Sequence, residues 1–143
     1  MIIQWLYGYS DLALLLMRLL VGLVFVTSGW SHVTDPVGRA QSIGMSPGFT
    51  RFLGVAELAG GLGVAFGVLT QFAALGLILV MLGAIQKKIF VWKTGFWGKN
   101  SSGWHYDLIM IVMCLVIATT GGGRYVLDGT LVASLESPAV ASR

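Results

Sequence analysis

The chain has 143 residues, of which 56% are hydrophobic and only 10% charged, with a formal net charge of +3 and a mean hydropathy of +0.83. A soluble domain carries about a quarter charged residues, so this much apolar surface exceeds what one small water-soluble core can hide, and the chain reads as a single membrane domain, 1–143. Its basic residues are scattered among connections between apolar runs, with no stripe of interleaved aromatics, which excludes nucleic acid and leaves the lipid bilayer as the partner.

A membrane-spanning helix needs about twenty mostly apolar residues. The first such window covers about 12–31 and contains Arg18, Gly22 and Gly29, with His32 just beyond it. No basic leader precedes it and Arg18 interrupts its apolar run, so a cleaved signal peptide is not expected. The connection that follows, to about residue 51, carries turn signals at Asp35-Pro36 and Ser46-Pro47-Gly48. The second window, about 52–70, holds Glu57 beside a line of small residues, Ala56, Gly60, Gly63 and Gly67. Thr70 and Gln71 then form a tight hairpin into the third window, about 72–90, where Gly76, Gly83 and Lys87 share a face. A connection rich in glycine and serine leads to the fourth, about 105–121, which opens with His105 and Asp107 and places lone Cys114 on an Asp107–Ile111–Cys114–Ala118 face. A single cysteine excludes an intrachain disulfide and a CxxC redox pair. Backbone groups in lipid must bond within their own segment, so the expected fold is all-α: an integral membrane four-helix bundle.

Four spans put both termini and the short hairpin on one side and the two longer connections on the other. The longer connections and their flanking helix ends carry Arg39, Arg51, Lys87, Lys88, Lys93 and Lys99, against Arg124 and Arg143 on the terminal side. This asymmetry places the longer loops in the cytoplasm and the termini outside. Trp30, Trp92, Trp97 and Trp104 fall on the loop side, as an interfacial belt would.

Small residues let helix backbones approach closely in lipid, where hydrophobic burial gives no drive to associate. An ionised residue within a span costs about 2.5–3.5 kcal/mol on insertion scales and normally faces protein or water. Glu57, beside its glycine line, therefore points inward. Counting 1.5 Å per residue sets Arg18 some 10 Å or more away in depth, so a direct Arg18–Glu57 bridge is geometrically marginal. Depth instead groups Glu57 with His32, Lys87, His105 and Asp107 as a ligand-binding or proton-handling cluster toward the loop-side leaflet. Lys88 reads as a residue reaching for the interface, and Arg18 as one that orients the terminal-side end. No nucleotide motif, H-E-x-x-H or Cys/His spacing is present, so no metal site is expected. With about 60 loop residues, redox chemistry here would need a bound quinone or a partner subunit.

Three segments carry a resemblance. GVAELAGGLGVAFGVLTQFAAL, MRLLVGLVFVTSGWSHV and TTGGGRYVLDG together resemble the DoxX family, in order and over most of the chain to about Gly129. The family commonly has a lysine where His32 stands, and often a glutamate where spacing places His105, with Asp107 two positions on. The resemblance implies a four-helix inner-membrane protein, some of whose relatives are small subunits linked to thiosulfate:quinone oxidoreductase. It points to a subunit of a redox system that binds a quinone-type ligand or supports an oxidoreductase partner. The alternatives are a non-catalytic scaffold for a partner protein or homo-oligomer, and a small-solute permeation protein.

Overall fold

The computed structural model describes residues 3–128 of the chain. A 3-10 turn, Gln4–Tyr9, leads into α1 (Ser10–Thr34). It is followed by α2 (Pro36–Ile43), α3 (Pro47–Phe66), α4 (Thr70–Gln86), a π turn at Lys87–Val91, and α5 (Trp104–Thr120). No strand occurs among the described residues, and the four long helices form an all-α membrane bundle. Among the described residues, three segments are long and apolar enough to cross a membrane, at 4–34, 47–66 and 70–91, while α5 is a shorter apolar helix. At 1.5 Å per residue, its 17 residues reach about 26 Å.

The helix boundaries follow from caps. Asp35 accepts a hydrogen bond from the Gly38 N–H at 3.0 Å, with Pro36 in the first helical turn. Ser46 does the same for the Phe49 N–H at 3.3 Å, with Pro47 behind it. A side-chain acceptor followed by proline suits a helix start, because proline lacks the N–H that has no partner there. The two motifs expected to be turns are thus helix N-caps, so α2 occupies the first connection and α3 begins five residues before the expected 52. At the other end of α3, Gly67 adopts φ +74° and its N–H bonds to the Gly63 carbonyl. The hairpin turn is therefore Gly67–Leu69, and Thr70 and Gln71 belong to the first turn of α4.

The buried residues recur at alternating three- and four-residue steps on every long helix. They are Arg18, Gly22, Phe25, Gly29 and His32 on α1, with Val21 beside them, and Thr50, Gly54, Glu57, Gly61 and Val64 on α3. On α4 they are Thr70, Ala74 and Leu77, and on α5 Asp107, Met110, Cys114 and Ile117. This spacing keeps one seam of each helix against its neighbours. The most extensive packing is α1 on α3, then α4 on α5 and α3 on α4.

Reciprocal glycines set the α1–α3 approach. A Cβ on Gly29 would lie 2.6 Å from the Gly54 carbonyl oxygen, and one on Gly54 would lie 2.8 Å from that of Gly29. Gly22 and Gly61 repeat the arrangement one heptad away, at 2.8 and 3.1 Å. The expected small-residue line on α3 does pack, but on α4, and a second line outside it meets α1. Gly54 and Gly61 make the contact with α1, whereas Gly60 and Gly63 face Leu77 and Ala73 of α4. Gly76 and Gly83 on α4 meet nothing within 4 Å, so the face expected to pack there is open and the Ala74–Leu77 face packs instead.

Candidate functional site

Because Glu57 occupies the middle of the α3 seam, between Gly54 and Gly61, it faces α1. There it meets His32, whose Nδ1 lies 3.1 Å from Glu57 Oε2. Both side chains are almost fully buried. With Nδ1 committed to the carboxylate, Nε2 of His32 has no hydrogen-bond partner among the described residues.

A second pair forms between the π turn and α5. Lys88 Nζ lies 2.7 Å from Asp107 Oδ2, and this carboxylate is also buried. The contact is an ion pair without hydrogen-bond geometry, and Oδ2 has no hydrogen-bond donor among the described residues. The inward seam of α4, extended from Ala74 and Leu77 by steps of three and four, reaches Lys88. This is why Lys88 turns inward instead of reaching for the interface. Asp107 lies in the first turns of α5 without capping it.

Both pairs line one partly open cavity of about 790 Å³ between the helices toward the loop-side end. Lys87, Arg39 and Tyr106 also line it, with Phe25, Phe49, Leu79 and Val80 among its apolar walls. Lys87 Nζ donates to the Gly44 carbonyl oxygen at 3.3 Å, not to Glu57.

Two of the expected site residues stand elsewhere. His105 does not line the cavity. Its Nδ1 lies 2.7 Å from the Phe96 carbonyl oxygen and its ring packs on those of Phe96 and Trp97. It anchors the connection ahead of α5, and the neighbour of Glu57 is His32. Arg18 is fully buried at the opposite end, and the carbonyl it holds on α3 is seven residues, about 10 Å, beyond Glu57. Its Nε and Nη2 donate to the Val64 and Ala65 carbonyls, at 2.9 and 3.0 Å. Its Nη1 donates to those of Gly122 and Tyr125, at 3.3 and 2.6 Å. Arg18 thus satisfies the last turn of α3 and ties it to the segment after α5; it neither faces lipid headgroups nor reaches Glu57.

That segment closes the terminal-side end. The Asp128 carboxylate accepts from the Thr70 N–H and hydroxyl, at 3.0 and 3.3 Å, and so caps α4. The Asp128 N–H bonds back to Gly67. Hydrogen bonds from Leu69 and Thr70, with Thr70 Oγ1 and the Arg18 charge, hold this carboxyl below its ordinary pKa. Gly122 turns the chain at φ +86° against Arg18. Gly129, the last residue of the resemblance, lies outside the described residues.

Among the described residues no three of His, Cys, Asp and Glu converge as metal ligands would. Buried Cys114 belongs to the apolar core with Val21, Phe25 and Leu77.

Comparison with known proteins places this arrangement in a family. The DoxX family model matches residues 13–92, which include Glu57, His32 and both reciprocal glycine pairs. An uncharacterized membrane protein of Mycobacterium tuberculosis is 36% identical over 129 residues, covering 80% of this chain and 78% of that protein. The inner membrane protein YqjF of Escherichia coli is 32% identical, covering 85% of this chain and 94% of its own length. CatD of Bacillus subtilis, provisionally named an oxidoreductase, is 27% identical, with 82% and 86% covered. No solved structure matches at a significant level. With the family match extending over more than half of its length and over α1, α2, α3 and α4, the chain belongs to the DoxX family of membrane proteins.

Proposed function

We propose that this protein is a membrane subunit of a redox system and that its loop-side cavity holds a quinone-type ligand, with a partner oxidoreductase supplying or removing electrons. One observation carries the reading: two acid–base pairs with buried carboxylates, His32–Glu57 and Lys88–Asp107, meet the wall of one largely apolar cavity. Its volume of about 790 Å³ lies within the range of about 300–1,000 Å³ common to small-molecule sites. Apolar walls suit a ring and its hydrocarbon tail, and imidazole and ammonium groups suit the ring's oxygens. A bound quinone supplies two-electron, two-proton carrier chemistry, which these side chains cannot provide themselves.

The protein's part is binding and proton handling. Glu57 orients His32 through Nδ1 and leaves Nε2 available to bond an oxygen of the head group. A proton passed between Nε2 and that oxygen is balanced by the Glu57 carboxylate at the other side of the ring. Lys88 offers a donor and Asp107 an acceptor from α5, so either protonation state of a ligand oxygen finds a partner. Burial of His32, Glu57 and Asp107 limits the water that would compete for these bonds. The provisional name of CatD agrees with a redox setting. Sidedness follows the basic residues, with the loop-side end and its cavity toward the cytoplasm.

The test is equilibrium binding of a short-chain quinone to the protein in nanodiscs. Loss of a charge-assisted bond is worth about 1.5–3 kcal/mol, so Glu57→Gln is expected to weaken binding by about tenfold or more. A normally folded Glu57→Gln protein that binds quinone unchanged contradicts the reading. If it instead pulls down the same partner as wild type while neither binds quinone, the scaffold alternative is favoured.

A further inference from the structure

Charge pairing across the cavity is incomplete. Five charged side chains and His32 line it, and the pairs His32–Glu57 and Lys88–Asp107 use both carboxylates. Arg39 and Lys87 are left without an anionic partner among the described residues, since the remaining ion pair there joins Arg124 to Asp11. Arg39 Nε is buried and makes no hydrogen bond among the described residues. Lys87 Nζ makes one hydrogen bond among the described residues, to the Gly44 carbonyl. Gly44 ends α2, the helix that carries Arg39, so this bond ties together the two elements that carry the cations, and both line the loop-side cavity.

A buried donor without an acceptor is costly. A guanidinium and an ammonium together match the oxygens of a phosphate group. Basic pockets between membrane helices are suited to anionic head groups, and Ile43, Met45 and Phe49 continue the cavity as apolar wall beside the two cations. We propose that the Arg39–Lys87 rim is a binding site for a phosphate-type anion carried by an anionic phospholipid, whose acyl chain lies against that wall. The site is separate from the His32–Glu57 pair and does not rest on the quinone reading.

The experiment is native mass spectrometry of the full chain released from nanodiscs of equal phosphatidylglycerol and phosphatidylcholine, with inorganic phosphate titrated in parallel onto the detergent-solubilised protein. Wild type is expected to retain phosphatidylglycerol over phosphatidylcholine by about tenfold. The preference should fall toward unity in Arg39→Gln/Lys87→Gln and persist in Lys87→Arg and in Glu57→Gln. Saturable phosphate binding that the double variant loses, without lipid preference, keeps the anion site and makes its source a free oxyanion. Equal retention of the two lipids with no phosphate binding overturns the proposal, as does a preference unchanged in a double variant that melts like wild type. Quinone binding by the same double variant reports separately on the deeper pair.

Discussion

Arg18 spends its guanidinium on four main-chain carbonyls from two segments, and that makes it a structural clamp. Replacing it with methionine leaves those buried acceptors without donors, at a cost of roughly 3 kcal/mol. Arg18→Met should therefore melt well below wild type in detergent, while the fraction that remains folded binds quinone normally. Asp128 acts at the same end, and its effect depends on pH. Its folded pKa lies below the ordinary carboxyl value of 3.8, so its stabilisation is complete above about pH 4 and fades as pH falls through the lower folded value. The melting temperature of wild type should drop more steeply below about pH 4 than that of Asp128→Asn; parallel curves would remove the cap from the account. Neither role could be read from spacing alone. Arg18 and its acceptors lie 46 to 107 residues apart in sequence, and carbonyl acceptors leave no mark in side-chain identity. The burial of Glu57 was legible, because a carboxylate among glycines within a span has few other places to go.

Among the helices, the same physical rule gave one correct and one wrong face. Small residues mark close backbone approach, and Gly22 and Gly29 on α1 do approach α3. α3 carries two glycine lines: the one through Gly54 and Gly61 meets α1, and the one through Gly60 and Gly63 meets α4. On α4 the rule misleads about packing: Gly76 and Gly83 face open space, and although Lys87 does line the cavity, the ion pair to Asp107 comes from Lys88. The Ala74–Leu77 seam reaches Lys88 by heptad counting, a signal that was present but outweighed. His105 was misplaced for a related reason, since its position at the start of α5 gives depth but not direction. Gly29→Ala should destabilise by about 1–3 kcal/mol, because its Cβ would meet main-chain atoms that side-chain motion cannot clear. Gly83→Ala should be neutral or stabilising by up to about 1 kcal/mol. Thermal melts that rank the two the other way would show that glycine does not set the α1–α3 distance.

For the molecule as a whole, apolar content and the number of long apolar runs determine a helical bundle in lipid, which is why the fold was legible from composition. The short helix α2 was not, because Asp35-Pro36 and Ser46-Pro47 serve turns and helix starts equally well. Sidedness rests on the basic residues and is checked by labelling single cysteines at exposed Ser10 and Ser101 in a Cys114→Ala background. Reaction of Ser101→Cys from the cytoplasmic face and Ser10→Cys from the opposite face is expected; the reverse pattern would invert the topology. The cavity claim itself is tested by extracting the protein in mild detergent and identifying what it carries by mass spectrometry. The account predicts isoprenoid quinone at near one per chain in wild type, and its loss from His32→Ala and from Glu57→Gln. Wild-type protein free of quinone, or variants that carry as much of it as wild type, would contradict the account.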